Sequence, residues 1–153
     1  MVLVFYTTIA SIPQKSTVKS RMHDAFAQTY TAVPTPQGMI WDTASLSDQM
    51  PMELVLTALV RCTILTLDSI LSKQRHRVTR YRVHVTGRQR LQHPQVWQSV
   101  ALTIHCAGTT IDHAGLERAL HIVPRYCPVH ATIAQTTDLT HQITIDTTAE
   151  DVT

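Results

Sequence analysis

Scarcity of charge, glycine and cysteine narrows the class of protein that this sequence can encode. Only 16% of its 153 residues are charged while 44% are hydrophobic, which excludes an intrinsically disordered chain. It has only four glycines and no internal repeat. Its length suits one domain with a buried core. The three cysteines are an odd number at wide spacing, which excludes a secreted disulfide framework and fits a reducing cytoplasm.

Several functional motifs are also missing. The chain has no Gly-x-Ser-x-Gly elbow, no Walker loop and no dinucleotide fingerprint. No positively charged segment or small-residue cleavage site accompanies the first strand-like residues, so we expect no signal peptide. The net charge of +2 is too small to indicate a nucleic-acid or membrane partner.

A basic segment from Lys73 to Arg90 holds seven of the 13 Lys and Arg residues. Nucleic-acid binding is one interpretation of this cluster. However, its charges alternate with apolar residues, which is typical of a strand with one face in solvent. We therefore interpret the segment as a surface strand and do not expect a nucleic-acid partner.

One long apolar helix dominates the pattern. Pro51 suits the first helical turn, and no Gly or Pro follows from Met52 to about Arg75, a span of roughly 24 residues or about 36 Å. Arg61 and Asp68 argue against a transmembrane helix, so we predict a buried helix of a soluble protein. Its apolar circumference predicts burial on all sides. A chain of this size would struggle to surround such a helix, so we predict a homodimer with packed central helices.

The remaining elements predict an α+β fold with mainly antiparallel sheet. Strands are predicted at Val2–Ile9, Thr17–Tyr30 (ended by Pro34 and Pro36), Met39–Trp41, Val78–Thr86, Val96–Cys106 and Leu139–Ile145, and helices at Asp112–Val123 (ended by Pro124) and Pro128–Gln135.

The cysteines are the candidate chemical groups. Cys62 lies in the middle of the long helix, where a lone cysteine is most often a small core residue. Its neighbour Arg61 points about 100° away on the helix and does not obviously activate it. Cys106 ends a predicted strand and is interpreted as structural. On spacing alone, a redox role for Cys62 therefore stays open.

Cys127 has more favourable local electrostatics. It precedes Pro128 at the start of a predicted helix, and helix N-termini favour a thiolate. Arg125 and His130 lie close by in sequence. These features predict a low pKa for Cys127, although a simple turn and helix cap would have the same sequence. Cys127 and His130 could share one helical face, but there is no second tight Cys/His pair, so we predict no metal site.

Taken together, several segments resemble the OsmC/Ohr family of osmotically inducible and organic hydroperoxide resistance proteins, most closely its YhfA-like branch. The resemblance extends from about Thr17 to Ile145 and leaves residues 1–16 as an extra N-terminal strand in a single domain. It is carried by Pro51–Thr63, Asp68–Lys73, Val85–Gly87, His93–Trp97, Leu116–Leu120 and Arg125–Val129.

The resemblance implies an intertwined homodimer in which long central helices lie between shared sheets. It also implies a thiol-dependent peroxidase that acts on organic hydroperoxides in oxidative-stress defence. Cys62 would attack the hydroperoxide and Cys127 would resolve the product as a disulfide. A dithiol such as a lipoyl group would then reduce the disulfide, and no cofactor would be required.

The chain departs from the family pattern in two places, at Met52 and at Val60 and Arg61, which stand where small residues often precede the helix cysteine. The resemblance implies a carboxylate ten residues before the helix cysteine, where this chain has Met52. Glu53 is the neighbouring carboxylate, but nine residues turn a helix by about 180° relative to Cys62. Arg21 precedes Arg61 as a possible activating guanidinium. These departures define an alternative hypothesis, a catalytically weak binding or redox-sensing dimer.

Overall fold

The computed structural model describes residues 25–42 and 48–147. Within these ranges the chain forms five strands and three helices, which confirms the α+β prediction. The predicted strand at Val2–Ile9 and the first part of Thr17–Tyr30 lie outside the described residues. The elements in chain order are β1 (Phe26–Thr35), β2 (Gly38–Asp42), α1 (Pro51–Lys73), β3 (Arg80–Gln89), β4 (Trp97–Ala107), α2 (His113–Tyr126), α3 (Pro128–Ile133) and β5 (Asp138–Asp146).

The strands form one mixed sheet in the order β2-β1-β3-β4-β5. The pairs β1–β2, β1–β3 and β3–β4 are antiparallel, while β4 and β5 are parallel. The parallel pair follows from the connection, because α2 and α3 carry the chain back to the end of the sheet where β4 began. Helices α1, α2 and α3 therefore share the inner face of the sheet.

The hydrophobic core lies between this inner face and α1. Strand β3 shows the pattern most clearly, because Tyr81, Val83 and Val85 are fully buried and the residues between them are exposed or half-buried. Helix α1 contributes its own buried stripe to the same cluster. The stripe consists of Leu56, Leu59, Val60, Ile64, Leu67 and Leu71.

The start of α1 is held by three local contacts. The backbone N–H of Met50 donates to Oε2 of Glu53 at 3.0 Å, which caps the first turn. The indole of Trp97 on β4 donates to the carbonyl oxygen of Met52 at 3.1 Å. Gly87 permits this close approach, because a Cβ there would lie 2.8 Å from side-chain atoms of Leu56 and Trp97.

The prediction that α1 is buried on all sides is wrong for the single chain. Leu54, Ala58, Leu65 and Ser69 form an exposed stripe on the helix face opposite the sheet, with Leu65 half exposed at 50%. We call these four residues the α1 outer stripe. Burial fails there because the described residues place the sheet on only one side of the helix. The helix has the length and a mean hydropathy of 1.9 that a membrane span would need, as core helices of globular proteins also do.

Two elements continue through a proline that was predicted to end them. Strand β1 runs through Pro34 to Thr35 and ends directly before Pro36, because at Pro34 it pairs with β2 alone and the missing N–H removes no bond to β3. Helix α2 contains Pro124 and ends at Tyr126. A proline in the last turn removes one backbone donor, and the N–H of Cys127 still bonds to the carbonyl of Val123 at 2.9 Å.

The basic segment forms the end of α1 and strand β3. Arg82 and Arg88 are exposed on the outer face of β3, and Arg82 lies 3.8 Å from the carboxylate of Asp146. This placement matches the interpretation of the segment as a surface strand.

Truncation of the α1 core is expected to destabilise the fold. Leu59→Ala removes buried methyl groups from a fully buried position and should lower the free energy of unfolding by about 2–5 kcal/mol. Leu91→Ala, at a residue 71% exposed, is the matched control and should change it by less than about 0.5 kcal/mol. Urea unfolding followed by circular dichroism measures both, and equal losses would contradict this description of the core.

Candidate active site

The structure brings together Cys62 and Cys127, which are 65 positions apart in sequence. Cys62 lies in the middle of α1, and Cys127 lies in the turn where α2 meets α3. Their sulfur atoms are 2.7 Å apart, with the thiol of Cys127 as donor and Sγ of Cys62 as acceptor. Both are free thiols. The arrangement places two redox-capable sulfurs in direct contact.

The surroundings of Cys127 overturn one prediction. Burial raises the pKa of its thiol to about 11, and the hydrogen bond to Cys62 acts in the same direction. The backbone N–H groups of His130 and Val129 lower the pKa, as expected at a helix start, but their effect is smaller. The predicted low pKa for Cys127 is therefore wrong, because the loss of solvent outweighs the short helix.

Two of the other candidate supporting residues, Arg61 and Glu53, have partners away from the cysteine pair. The guanidinium of Arg61 stacks over the ring of Trp41 on β2, 5.2 Å from its centroid. Glu53 caps α1, as described above. Arg125 is exposed in the last turn of α2, and Arg21 lies outside the described residues. Met52 takes the place of the expected carboxylate and packs against the core.

His130 supports Cys127 through its backbone. Its N–H donates to Sγ of Cys127 at 3.4 Å, so the cysteine side chain caps α3. The imidazole of His130 lies elsewhere, stacked on the ring of His141 from β5 with centroids 4.9 Å apart. The backbone of His130 therefore contacts the cysteine pair, and the side chain of His130 connects α3 to the sheet.

This histidine pair was not predicted from the sequence. Nδ1 of His130 and Nε2 of His141 are both buried without a hydrogen-bond partner. Burial lowers the pKa of both rings, that of His141 to about 4, and His130 contributes to the shift on His141. The alternation of β5 could have signalled an inward His141, since Leu139 and Ile143 share its face. Nothing in the sequence pairs it with His130.

Cys106 is not part of this hydrogen-bonded pair and is fully buried on β4. Burial raises the pKa of its thiol to about 12. These surroundings suit the structural role predicted for it. In the part of the chain that the structure describes, no cluster of three His, Cys, Asp or Glu side chains is arranged to hold a metal ion.

Comparison with known proteins defines the family. The model of the OsmC-like protein family matches residues 47–142, which include both cysteines of the pair. The chain is 29% identical over 92 residues to Protein YhfA from Escherichia coli K12, covering 60% of this chain and 69% of YhfA. The chain therefore belongs to the OsmC-like family, and its relationship to YhfA agrees with the predicted branch.

Solved structures share the fold. A hypothetical protein from Aquifex aeolicus VF5 superposes with a TM-score of 0.60 and 25% identity, covering 73% of this chain and 83% of its own. An OsmC-like protein from Mycoplasma pneumoniae gives 0.57 at 16% identity, covering 82% and 98%. An organic hydroperoxide resistance protein OsmC from Legionella pneumophila gives 0.54 at 14% identity, covering 81% and 98%. The last two likenesses show the fold alone.

The buried histidine pair should make the protein acid-sensitive. Because folding lowers the pKa of both rings, the unfolded chain binds protons more readily, and stability is lost as pH falls below about 6.5 toward 4. His141→Leu should flatten this loss by up to about 1.4 kcal/mol per pH unit, the limit for one proton. Urea unfolding at pH 7, 6, 5 and 4 measures the slopes.

An exposed histidine provides the control for this experiment. His84 lies on the outer face of β3, so His84→Leu should leave the pH slope of the wild type unchanged. A His141→Leu slope that matched the wild type over the same range would contradict the proposed role of the histidine pair.

Proposed function

We propose that this protein is a thiol-dependent peroxidase that reduces organic hydroperoxides in oxidative-stress defence. The observation that carries the proposal is the 2.7 Å contact between the sulfurs of Cys62 and Cys127 in a chain of the OsmC-like family. Two thiols that can form a disulfide after one of them is oxidised are sufficient for such a cycle.

The different surroundings of the sulfurs support distinct roles. Cys62 is partly exposed, whereas Cys127 is only 1% exposed. As a thiolate, Cys62 would attack one hydroperoxide oxygen, the O–O bond would break, and the alcohol would leave. Sγ of Cys127 lies 2.7 Å from Sγ of Cys62, where the sulfenic acid would form. Attack by the Cys127 sulfur would then release water and form the disulfide.

Return to the dithiol state requires two electrons from a reductant. A dithiol such as a lipoyl group suits this step, because its second thiol closes a ring and resolves the mixed disulfide within one molecule. The cytoplasm is the setting we propose, since free thiols persist in a reducing compartment.

A second candidate function is a redox-sensing or ligand-binding dimer with weak catalysis. The partners found for Glu53 and Arg61 favour it, because one caps α1 and the other stacks on Trp41. Met52 adds an apolar side chain where the family pattern implies a carboxylate. In this alternative, Cys62 and Cys127 would still form a disulfide, but peroxide turnover would be slow.

The proposed partner is a second copy of this chain. The α1 outer stripe leaves Leu54 and Leu65 exposed, and a groove of about 530 Å³ beside it is lined partly by Leu65, Ile122 and Tyr126. Tyr126 is 69% exposed although it directly precedes Cys127. Burial of these apolar side chains against their symmetry mates would complete the core around α1.

Peroxide turnover tests the function. Wild-type protein with dihydrolipoamide should consume cumene hydroperoxide, and Cys62→Ser should reduce the rate to background because the attacking sulfur is gone. Cys127→Ser should turn over more slowly than wild type, because its sulfenic acid has no resolving thiol in the protein and must react directly with the dithiol. Consumption of hydroperoxide is followed by a colorimetric peroxide assay.

Cys106→Ala is the matched control for these variants, because it removes a buried thiol outside the pair. It should retain the wild-type rate per folded protein. Wild-type protein that shows no turnover with any dithiol would refute the peroxidase proposal and favour the redox-sensing alternative, provided that the Cys62–Cys127 disulfide still forms.

Association tests the partner. Leu65→Glu places a charge on the α1 outer stripe and should shift the protein from dimer to monomer in sedimentation velocity, with at least about a tenfold weaker dimer because burying a lone charge is costly. Leu91→Glu, on the exposed β3–β4 connection, should remain dimeric. A monomeric wild type, or equal effects of the two substitutions, would refute the proposed interface.

A further inference from the structure

The two sulfurs of the cysteine pair are held in contact by ordered parts of the fold. Cys62 lies in the middle of α1, and its sulfur is 2.7 Å from Sγ of Cys127. The backbone of Cys127 is fixed on both sides. Its N–H bonds to the carbonyl of Val123 at 2.9 Å, and its carbonyl accepts from the N–H of Ala131 at 3.1 Å. A ligand that binds both sulfurs would therefore cost the chain little ordering.

The surroundings of the pair limit which sulfur-binding elements it can hold. Structural zinc sites use four protein ligands. In the ranges 25–42 and 48–147, no third His, Cys, Asp or Glu side chain joins the two cysteines in such a set. Two-coordinate copper(I) also favours sulfur, but it holds its ligands on opposite sides of the metal. Linear binding would force apart two sulfurs that are now in contact.

Trivalent arsenic matches the pair in geometry. It forms three bonds in a pyramid, so two of these bonds meet at a sharp angle and reach two sulfurs on the same side of the atom. Sulfurs that already touch suit this arrangement. The third position keeps a hydroxyl group that the ligand itself supplies, so no third protein side chain is needed.

The protonation of Cys127 also favours arsenic over a metal cation. Burial raises the pKa of this thiol to about 11, so it keeps its proton at neutral pH. A metal cation binds thiolates and has to expel such protons. Arsenous acid, As(OH)3, is uncharged, and each hydroxyl that leaves takes a thiol proton and departs as water. Two thiols and one As(OH)3 give one S–As–S unit and two waters, without a change of oxidation state or a net release of protons.

We propose that the reduced Cys62–Cys127 pair is a binding site for trivalent arsenic, taken up as arsenous acid, with one arsenic atom bonded to both sulfurs. The site goes beyond the proposed peroxidase function, because it uses the pair as a chelate and involves no oxidation. An occupied pair cannot form a disulfide, since both sulfurs are already bonded to arsenic.

Equilibrium dialysis against sodium arsenite tests the site. Reduced full-length protein is dialysed at neutral pH, and arsenic per chain is measured by mass spectrometry. Wild type and Cys106→Ala should each bind one arsenic per chain. Cys62→Ser and Cys127→Ser should bind at least about a hundredfold more weakly, because no second sulfur is held beside the one that remains. Equal affinity of wild type and either serine variant, or binding that is lost with Cys106, would overturn the proposal.

The wild-type chain itself gives a readout that does not depend on how the variants fold. In concentrated urea the two cysteines, 65 positions apart in sequence, are no longer held together, so the affinity for arsenite should fall at least about tenfold. An affinity that unfolding leaves unchanged would overturn the proposal, as would folded wild-type protein that binds no arsenite.

Protection from oxidation identifies the sulfurs that arsenic occupies. Diamide should join Cys62 and Cys127 in the free protein, and saturating arsenite should slow this reaction at least about tenfold, because both thiols are engaged. Peptide mass spectrometry after acid quenching measures the disulfide. Equal rates with and without arsenite would contradict binding at this pair.

These outcomes are separable from the peroxidase test, because neither dialysis nor diamide treatment includes a hydroperoxide. A protein that binds arsenite through both cysteines but shows no hydroperoxide turnover would keep the arsenic site and lose the proposed function. A protein that turns over hydroperoxide but binds arsenite no better than its serine variants would do the reverse.

Discussion

The packing of α1 on the sheet determines where the cysteine pair lies. Its buried stripe packs on inward residues of β1, β3 and β4, and this packing fixes both the rotation and the height of the helix. Asp68, six residues after Cys62 on α1, accepts a hydrogen bond from the hydroxyl of Tyr81 at 2.9 Å. Trp97 holds the first turn of α1 and Tyr81 holds its second half. Cys62 lies between these two contacts, so its position is fixed.

A fixed Cys62 explains why Cys127 must be buried. Contact between the sulfurs requires the turn between α2 and α3 to lie against α1, and that placement removes Cys127 from water. Its raised pKa is therefore a consequence of pairing, even though the start of α3 opposes it. The stacked His130 and His141 rings hold the other side of the same turn to β5. Acid that protonates these rings would loosen the element that carries Cys127.

The local sequence pattern was sufficient to predict features that depend on a single helix or strand. The alternation of β3, the cap at Asp112 and the start of α1 at Pro51 each follow from residues close in sequence, and each agrees with the structure. The prolines did not mark the predicted ends of β1 and α2, because whether a proline ends an element depends on the neighbouring strand or turn. Pro34 is tolerated where β1 has one partner, and Pro124 is tolerated where the helix is about to end.

At the candidate site, too, some features could be predicted from the sequence and others depend on the whole fold. The spacing of the cysteines in the sequence does not predict that Cys62 and Cys127 are in contact. The resemblance to the OsmC/Ohr family implied that pairing. What the resemblance could not supply was the balance of forces on Cys127, because burial is a property of the whole fold and outweighs a local helix start. The same reasoning applies to Arg61, whose adjacency to Cys62 in sequence counts for less than its contact with Trp41. With Arg61 held by Trp41, a charge that assists chemistry at Cys62 would have to come from a residue outside α1.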